Sequence, residues 1–439
     1  MLWFAMEENR RDAGLIRALG PLALAASVVN AVIGAGIFDV PAALAASIGA
    51  YAPLAFGACA VAIGAVALCF AEAGSRVPTS GGPYGYIEAA FGPMTGYVAG
   101  SLFWFSDVLA CGGIAAALAD AVVSVFPAPL RPPVHVAVIV CSIGGIALVN
   151  IRGVALGARL INAATLLKLF PLAIFIGVGA VSLHASNFVS QGIPASGGLG
   201  RAMILALFTF TGMETALCAS GEVKNPTRTI PRALAVGMLV VTLVYVAVQV
   251  IAQGILGPAL PQSTVPLADA MARVSPALRL LMLAGAAISM LGWLSSDILC
   301  SPRIVFALAR DHLMPRVLGR VHARHHTPHV AIVGYSALAI GLALTGTFSE
   351  LAVLSTLAIA PLYIAGCAAA WRLARRGVAL AGEPLRFRWL GAAVVTGIVS
   401  MLLLVALASR AEITGLLVII AAAVVLYGLQ ARRMPQRAA

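Results

Sequence analysis

Three ionisable residues, Asp107, Lys168 and Glu214, each lie inside a long run of apolar residues. An ionisable group at the centre of a bilayer costs at least ~2.5 kcal/mol, so it is by default a candidate for function. A buried carboxylate favours a positive partner or a proton, and a buried ammonium binds carbonyl oxygens or releases its proton. Asp39 is a fourth candidate, because it follows two glycines in the first apolar run.

Each of these residues also has a purely structural interpretation. Asp107 can accept a hydrogen bond from another helix, and Glu214 can hold a broken backbone by accepting N–H groups. Lys168 can extend toward the lipid headgroups, although it lies well over two helical turns from Arg159. Asp39 can cap a helix through the helix dipole or add a second carboxylate to a pocket with Asp107.

The composition indicates that these residues lie in a membrane protein. Of the 439 residues, 61% are hydrophobic and 10% are charged, whereas soluble domains contain about 25% charged residues. A transmembrane helix needs roughly 20 apolar residues, so twelve helices and their loops use most of the chain. This excludes soluble enzymes, nucleic-acid-binding proteins and secreted disulfide-rich domains.

Twelve apolar stretches, numbered here as spans 1 to 12, are separated by charged or by proline- and glycine-rich segments. They cover residues 20–47, 53–74, 95–125, 133–150, 157–182, 200–220, 233–256, 277–308, 329–347, 350–371, 389–409 and 412–431. The predicted fold is an all-α membrane protein of about 12 transmembrane helices that forms a single transmembrane domain over residues 1–439.

The distribution of positive charge predicts the orientation in the membrane. If the connections alternate between the two sides, 22 of the 28 Lys and Arg residues lie on the side of both termini, five lie on the other, and Lys168 lies within a span. Cytoplasmic loops are enriched in such residues. We therefore expect a multi-pass protein of the cytoplasmic (inner) membrane with both termini in the cytoplasm, and the net charge of +12 requires no nucleic-acid partner.

Spans 1 and 6 each contain a sequence that favours a broken helix. Span 1 has Gly34 and Gly36 near its middle with Pro41 beyond them, and span 6 has Gly212. Glycine costs about 1 kcal/mol in a helix relative to alanine, and unwound backbone at this depth must be buried in protein or line a cavity. Paired breaks five spans apart are typical of transporters with inverted repeats. The alternative is packing of helices through small residues.

Four motifs make the sequence similar to one known family. They are Gly34-Ala35-Gly36-Ile37-Phe38, the segment from Phe70-Ala71-Glu72 to Ser80-Gly81-Gly82-Pro83-Tyr84-Gly85-Tyr86, the run from Gly221-Glu222-Val223-Lys224-Asn225-Pro226 to Ile230-Pro231-Arg232-Ala233, and Ala307-Leu308-Ala309-Arg310-Asp311. In order and spacing the chain resembles the amino acid, polyamine and organocation (APC) superfamily, in particular its amino acid permeases.

The resemblance implies a five-plus-five inverted repeat, with repeat 1 at about 20–182, repeat 2 at about 200–371 and two accessory helices at about 389–431. It implies secondary active transport of amino acids or related amines by alternating access. Lys168 resembles the lysine that replaces sodium in sodium-independent members, so transport is expected to be sodium-independent, and either proton-coupled or an exchange.

The resemblance also assigns candidate substrate-binding residues. Backbone N–H groups of residues 34–36 would bind the substrate carboxylate, although Ala35 stands where many relatives have serine. The ammonium group would meet carbonyls near Val32, Phe208 and Thr211. Phe208 also matches an aromatic residue that closes over the substrate in similar proteins, and its alternative is a core- or lipid-facing aromatic.

The remaining site residues are assigned in the same way. Thr209 and Gly212 belong to the break in span 6, and Trp293 and Ser355 lie at depths where relatives have site-lining residues. Core packing is the alternative for Trp293, and a hydrogen bond between helices is the alternative for Ser355.

Three charged residues receive functional roles from the resemblance. Asp107 would border the substrate, where it would accept an ammonium or carry a proton, and Lys168 and Glu214 would take part in coupling. Asp297 is expected to pair with Arg303, without an assigned role.

The expected partners are an amino acid or amine substrate, a proton and the lipid bilayer, with no cofactor and no metal. His322, His325, His326 and His329 have a helical spacing that can bind metal, but they lie among arginines in a loop, which favours a basic loop. No nucleophile with its base or phosphate-binding loop appears, so an enzyme is not expected.

A sensor that binds amino acids without moving them is the alternative function. A neutral amino acid is the alternative to a cationic substrate. The sequence is compatible with a homodimer.

Overall fold

The computed structural model describes residues 19–78, 82–152, 154–188, 196–218, 220, 223–310, 313–380 and 382–431. The described part of the chain is all-helical. Its α-helices are α1 (Pro21–Val32), α2 (Gly36–Ile48), α3 (Ala52–Arg76), α4 (Pro83–Phe91), α5 (Pro93–Val123), α6 (Arg131–Arg152), α7 (Val154–Gly179), α8 (Ser196–Phe210), α9 (Met213–Leu217), α10 (Pro226–Leu256), α11 (Pro266–Ala272), α12 (Pro276–Arg310), α13 (His329–Thr345), α14 (Phe348–Arg375), α15 (Leu390–Ala406) and α16 (Arg410–Ala431).

Local sequence explains where many of these helices begin. Pro21, Pro83, Pro93, Pro226 and Pro276 are each the first residue of a helix, where proline loses no hydrogen bond and already has a helical φ. Helix α14 begins with a capping box, in which Thr347 and Glu350 bond to each other's backbone N–H groups. These signals begin a new helix at the start of an apolar run.

Each predicted span overlaps one helix or a pair of helices. Seven helical stretches within the described residues are long and apolar enough to cross a bilayer, and four shorter apolar helices accompany them. The protein is therefore a multi-pass membrane protein.

The predicted breaks in spans 1 and 6 are confirmed. Helix α1 ends at Val32 and α2 begins at Gly36, while α8 ends at Phe210 and α9 begins at Met213. The half-helices pair crosswise, because α1 contacts α9 and α2 contacts α8. Their unwound segments therefore meet inside the protein.

Helix α5 lies at the centre of the molecule. It packs on α12, α13 and α14. Of its most apolar 18-residue stretch, 89% is buried inside the protein, whereas only 11% of the corresponding stretch of α16 is buried. Asp107 is in the middle of α5 and is 7% exposed, so it faces protein and not lipid.

A buried ion pair lies at the C-terminal end of α3. The Arg76 guanidinium lies 2.6 Å from a Glu72 carboxylate oxygen, and both residues also bind the segment after α14. Arg76 donates to the Val378 carbonyl (3.1 Å), and the Phe387 N–H donates to Glu72 (3.0 Å). The Glu72 motif thus fastens a loop that is distant in sequence.

Parts of the family-like motifs lie outside the described residues. These are Thr79, Ser80, Gly81, Gly221, Glu222 and Asp311.

Candidate functional site

The two breaks touch each other through glycines. Gly212 has φ +115°, and a Cβ there would lie 2.5 Å from the Ala31 carbonyl oxygen. A Cβ on Gly36 would lie 2.8 Å from Thr209 Cγ2. A side chain at either position would clash, with the backbone of α1 at Gly212 and with the Thr209 side chain of α8 at Gly36.

Lys168 lies at the break between α1 and α2. Its Nζ donates hydrogen bonds to the carbonyl oxygens of Asn30 (2.6 Å) and Ile33 (2.7 Å), and the side chain is completely buried. Both carbonyls are among those that a helix leaves without partners where it ends. The lysine contributes donors and a positive charge to the unwound backbone.

Helix α12 binds two further carbonyls of the same break. Trp293 Nε1 donates to the Ala31 oxygen (3.1 Å), and Ser289 Oγ donates to the Gly34 oxygen (3.2 Å). A Cβ on Gly34 would lie 3.0 Å from the Trp293 ring. Trp293 therefore contacts the predicted carboxylate-binding segment directly.

Tyr245 on α10 joins the two breaks. Its hydroxyl lies 2.9 Å from the Val32 carbonyl oxygen and 2.8 Å from that of Thr209. The ring is completely buried and packs against Phe56 and Phe210. One side chain thus bridges the last residue of α1 and the end of α8.

The start of α2 presents backbone N–H groups. Gly36 is its first residue and Ala35 its N-cap, so the first N–H groups of the helix lack an acceptor within it, although the Phe38 N–H donates to the Ala35 carbonyl (2.8 Å). Ala35 offers no side-chain donor. An anion at this point would be bound by backbone groups and the helix dipole alone.

The break in span 6 is closed by local contacts. The Phe208 carbonyl accepts hydrogen bonds from the Thr211 hydroxyl (2.7 Å) and N–H (3.2 Å). The Phe208 ring is 5% exposed and packs edge-on against Phe348, with centroids 5.7 Å apart.

Glu214 holds this second break. One carboxylate oxygen accepts the Gly212 N–H (2.9 Å) and the other accepts the Tyr363 hydroxyl (2.8 Å). The structural interpretation of Glu214 is therefore present in the molecule, whereas its role in coupling stays a prediction.

Asp107 belongs to a buried hydrogen-bond network between α5, α12 and α13. The Ser301 hydroxyl contacts carboxylate oxygens of both Asp107 (2.5 Å) and Asp297 (2.9 Å), and the Tyr335 hydroxyl donates to Asp297. The predicted pair of Asp297 with Arg303 is wrong. Asp297 faces α5 and α13, and Arg303 Nη1 is buried without a partner.

Ser355 is bonded to a neighbouring helix. Ser106 Oγ on α5 lies 2.9 Å from the Ser355 carbonyl and 3.0 Å from its hydroxyl. This is the helix-to-helix bond that was the alternative to lining the pathway.

Comparison with known proteins identifies the family. The family model described as "Amino acid permease" matches residues 19–429. The chain belongs to the amino acid permease family. The protein is accordingly an amino acid transporter and not an enzyme.

Individual relatives of this permease have related functions. The serine/threonine exchanger SteT of Bacillus subtilis is 27% identical over 387 residues, which is 84% of this chain and 86% of that protein. The branched-chain amino acid permease BcaP of the same species is 28% identical, over 78% of each chain. An uncharacterized transporter of Mycobacterium tuberculosis is 32% identical over 81% of this permease and 80% of its own length.

Asp39 and Asp107 do not form one pocket in the permease. The acidic neighbour of Asp39 is Asp120, whereas those of Asp107 are Asp297 and Glu214. Asp39 lies in the first turn of α2, where a carboxylate is favoured by the helix dipole.

The four loop histidines do not form a metal site in the described part of the permease. The His322 ring packs against those of His325 and His329 at 4.7 and 5.3 Å. His322 Nδ1 accepts the N–H groups of Arg324 and His325. The cluster is a folded basic loop.

Several partners at the site were missed by sequence reasoning. They are Tyr245, Ser289, Asp297, Ser301, Tyr335 and Tyr363. The four-residue spacing of Asp297 and Ser301 places them on one helical face, and this signal was available. The tyrosines lie in ordinary apolar surroundings, and nothing in the sequence marks them.

Proposed function

We propose that this permease is a sodium-independent secondary active transporter that moves amino acids or related amines across the cytoplasmic membrane by alternating access. The observation that carries the proposal is the ammonium of Lys168, within 2.7 Å of the carbonyl oxygens of Asn30 and Ile33. In transporters with broken helices, unwound carbonyls coordinate the coupling cation. Here a side chain of the protein occupies that position, so no sodium ion is needed to neutralise the break.

The substrate would bind between the two breaks. Its carboxylate would meet the N–H groups of residues 34–36, and its ammonium the carbonyls of Val32, Phe208 and Thr211. The Val32 carbonyl accepts one hydrogen bond and has a second lone pair for another donor. The Phe208 carbonyl already accepts two from Thr211, so the ammonium would replace one of them. The walls of this substrate site would be completed by Trp293, Thr209 and Gly212.

The hydrogen bonds of Ser301 favour a proton between Asp107 and Asp297. A serine hydroxyl has one proton and can donate to only one carboxylate. Its contacts to both carboxyls therefore favour a proton on one of them, since two ionised carboxylates that share one hydroxyl repel each other. A retained proton at this depth supports coupling to protons, and exchange of substrates is the other mode compatible with the fold.

The paired breaks support an inverted repeat of residues 20–182 and 200–371, followed by accessory helices at 389–431. The excess of Lys and Arg on one side supports cytoplasmic termini.

Proteoliposomes containing the purified full-length chain test this function. Labelled serine, alanine, lysine and putrescine would be supplied outside, with and without the same compound inside and with a pH gradient. Saturable uptake that a proton gradient drives, or that internal substrate accelerates, is expected. A protein that binds these ligands without moving them would be a sensor, and this result would overturn the proposal.

A further inference from the structure

A small cavity lies beside the second half of broken span 1, where α2, the end of α5, α11 and the first half of α12 meet. Phe38, Leu267, Met282, Leu283 and Met290 form much of its wall. Asp39 is the only residue among those lining the cavity that has a polar side chain. The cavity is therefore an apolar space with one carboxylate.

The carboxylate of Asp39 lacks a partner in this space. Its Oδ2 atom is buried, and no described residue donates a hydrogen bond to it. The described residues also place no cationic group within 4 Å of it. Asp39 as a whole is partly exposed, but its buried, unpaired Oδ2 and the further negative charge of Asp120 favour a positive ligand.

The charged groups near this end of the protein already have partners. Arg279 lies 3.7 Å from Asp269, and Arg273 donates to a backbone carbonyl at 2.6 Å. His135 lies 3.3 Å from Asp120. Because these side chains bond to other groups, a positive partner for the Asp39 carboxylate would come from a ligand.

We propose that Asp39 binds the terminal ammonium of a substrate with an aliphatic chain, such as a diamino acid. The inference rests on the proposed function, because it takes the substrate carboxylate to lie at the start of α2. Asp39 is three residues beyond Gly36, or about 4.5 Å along the helix axis. A chain of about four methylene groups can cover that distance while it packs against the apolar wall.

The methionines allow the cavity to accept such a chain. In this conformation the cavity has room for about one water molecule. Met282 and Met290 line it, and methionine side chains change rotamer easily and fill irregular spaces. Both methionines are buried in the core, so binding of a longer chain requires them to change rotamer and enlarge the cavity.

Lysine and norleucine test the proposal, because they share a carbon chain and differ in the terminal ammonium. Their binding to the purified full-length protein and their uptake into proteoliposomes would be compared in wild type, Asp39→Asn and Asp39→Glu. Asp120→Asn is the matched control, since it removes a nearby carboxylate that does not line the cavity. Wild type is expected to prefer lysine, and Asp39→Asn to lower the ratio of lysine to norleucine about tenfold.

The affinity of Asp39→Asn for norleucine should stay within about twofold of the wild-type value. The variants Asp39→Glu and Asp120→Asn should retain the preference for lysine. An unchanged ratio in Asp39→Asn, equal loss of both ligands, or no preference in wild type would overturn the inference. If wild type binds lysine preferentially but moves no amino acid, the transport function fails while the role of Asp39 stands.

Discussion

The two breaks are stabilised in different ways. Carbonyls of the break in span 1 are bound by side chains from α7, α10 and α12, namely Lys168, Tyr245, Trp293 and Ser289. The break in span 6 is bound mainly by its own residues, Thr211 and Glu214, with Tyr363 from α14.

This difference suggests different roles for the two breaks. Contacts from distant helices make the first break sensitive to any movement of α7 or α12, whereas the second break keeps its shape when neighbouring helices move. Tyr245 contacts both breaks, so a movement of one break would act on the other through this side chain. We therefore expect substitutions that affect the first break to alter coupling, and those at the second to alter stability.

The largest effect is expected for Lys168→Gln. The variant loses the charge and the hydrogen bonds to the buried carbonyls of Asn30 and Ile33. Each unsatisfied carbonyl costs about 1–3 kcal/mol. Uptake at the optimal pH should fall about tenfold or more and lose its pH dependence, while the protein still reaches the membrane. Uptake assays between pH 5 and 8 would measure this, and unchanged uptake with an unchanged pH profile would contradict it.

Gly212→Ala should be the next most damaging change. The added Cβ would meet the Ala31 carbonyl at 2.5 Å with φ +115°, and such strain costs about 1–3 kcal/mol. Thermal unfolding in detergent should show a lower midpoint than for Gly341→Ala, whose Cβ would meet no atom within 4 Å. Equal midpoints for the two variants would mean that the breaks are not packed as described.

Tyr245→Phe tests the link between the breaks. It removes the hydroxyl that bonds to Val32 and Thr209 and keeps the ring. The contact between the two breaks should therefore lose about 1–3 kcal/mol of stabilisation. Substrate affinity should fall more than the unfolding midpoint, because the contact positions two parts of the site. Phe210→Leu, a change in the neighbouring packing, serves as the control, and the reverse order of effects would contradict the link.

Glu214→Gln should have the smallest effect. An amide oxygen can still accept the Gly212 N–H, so a purely structural Glu214 predicts uptake within about twofold of wild type with the same pH profile. Loss of the pH response in this variant would show instead that Glu214 titrates during coupling.

The helices and breaks could be predicted because their signals are local. Apolar length, proline at helix starts, and Gly34, Gly36 and Gly212 are all readable from the sequence. Lys168 was also predictable, since a charge deep in a span needs a partner.

Contacts between helices could not be predicted in the same way. Asp297 was assigned to Arg303 because they are close in sequence, but its partner Tyr335 lies on another helix. The sequence allows Asp39 and Asp107 to share an acidic pocket, because both are acids within apolar runs, and only the packing of α2 and α5 separates them. Such pairings depend on how helices cross, which residue spacing within one helix does not specify.

The most direct test of the account is the sodium dependence of transport. Uptake by wild type and by Lys168→Gln would be measured in proteoliposomes with sodium chloride or with choline chloride at the same pH gradient. Wild-type uptake should be equal in both salts if, as proposed, the Lys168 ammonium at the Asn30 and Ile33 carbonyls takes the place of a coupling cation. Wild-type uptake that requires sodium would contradict this assignment.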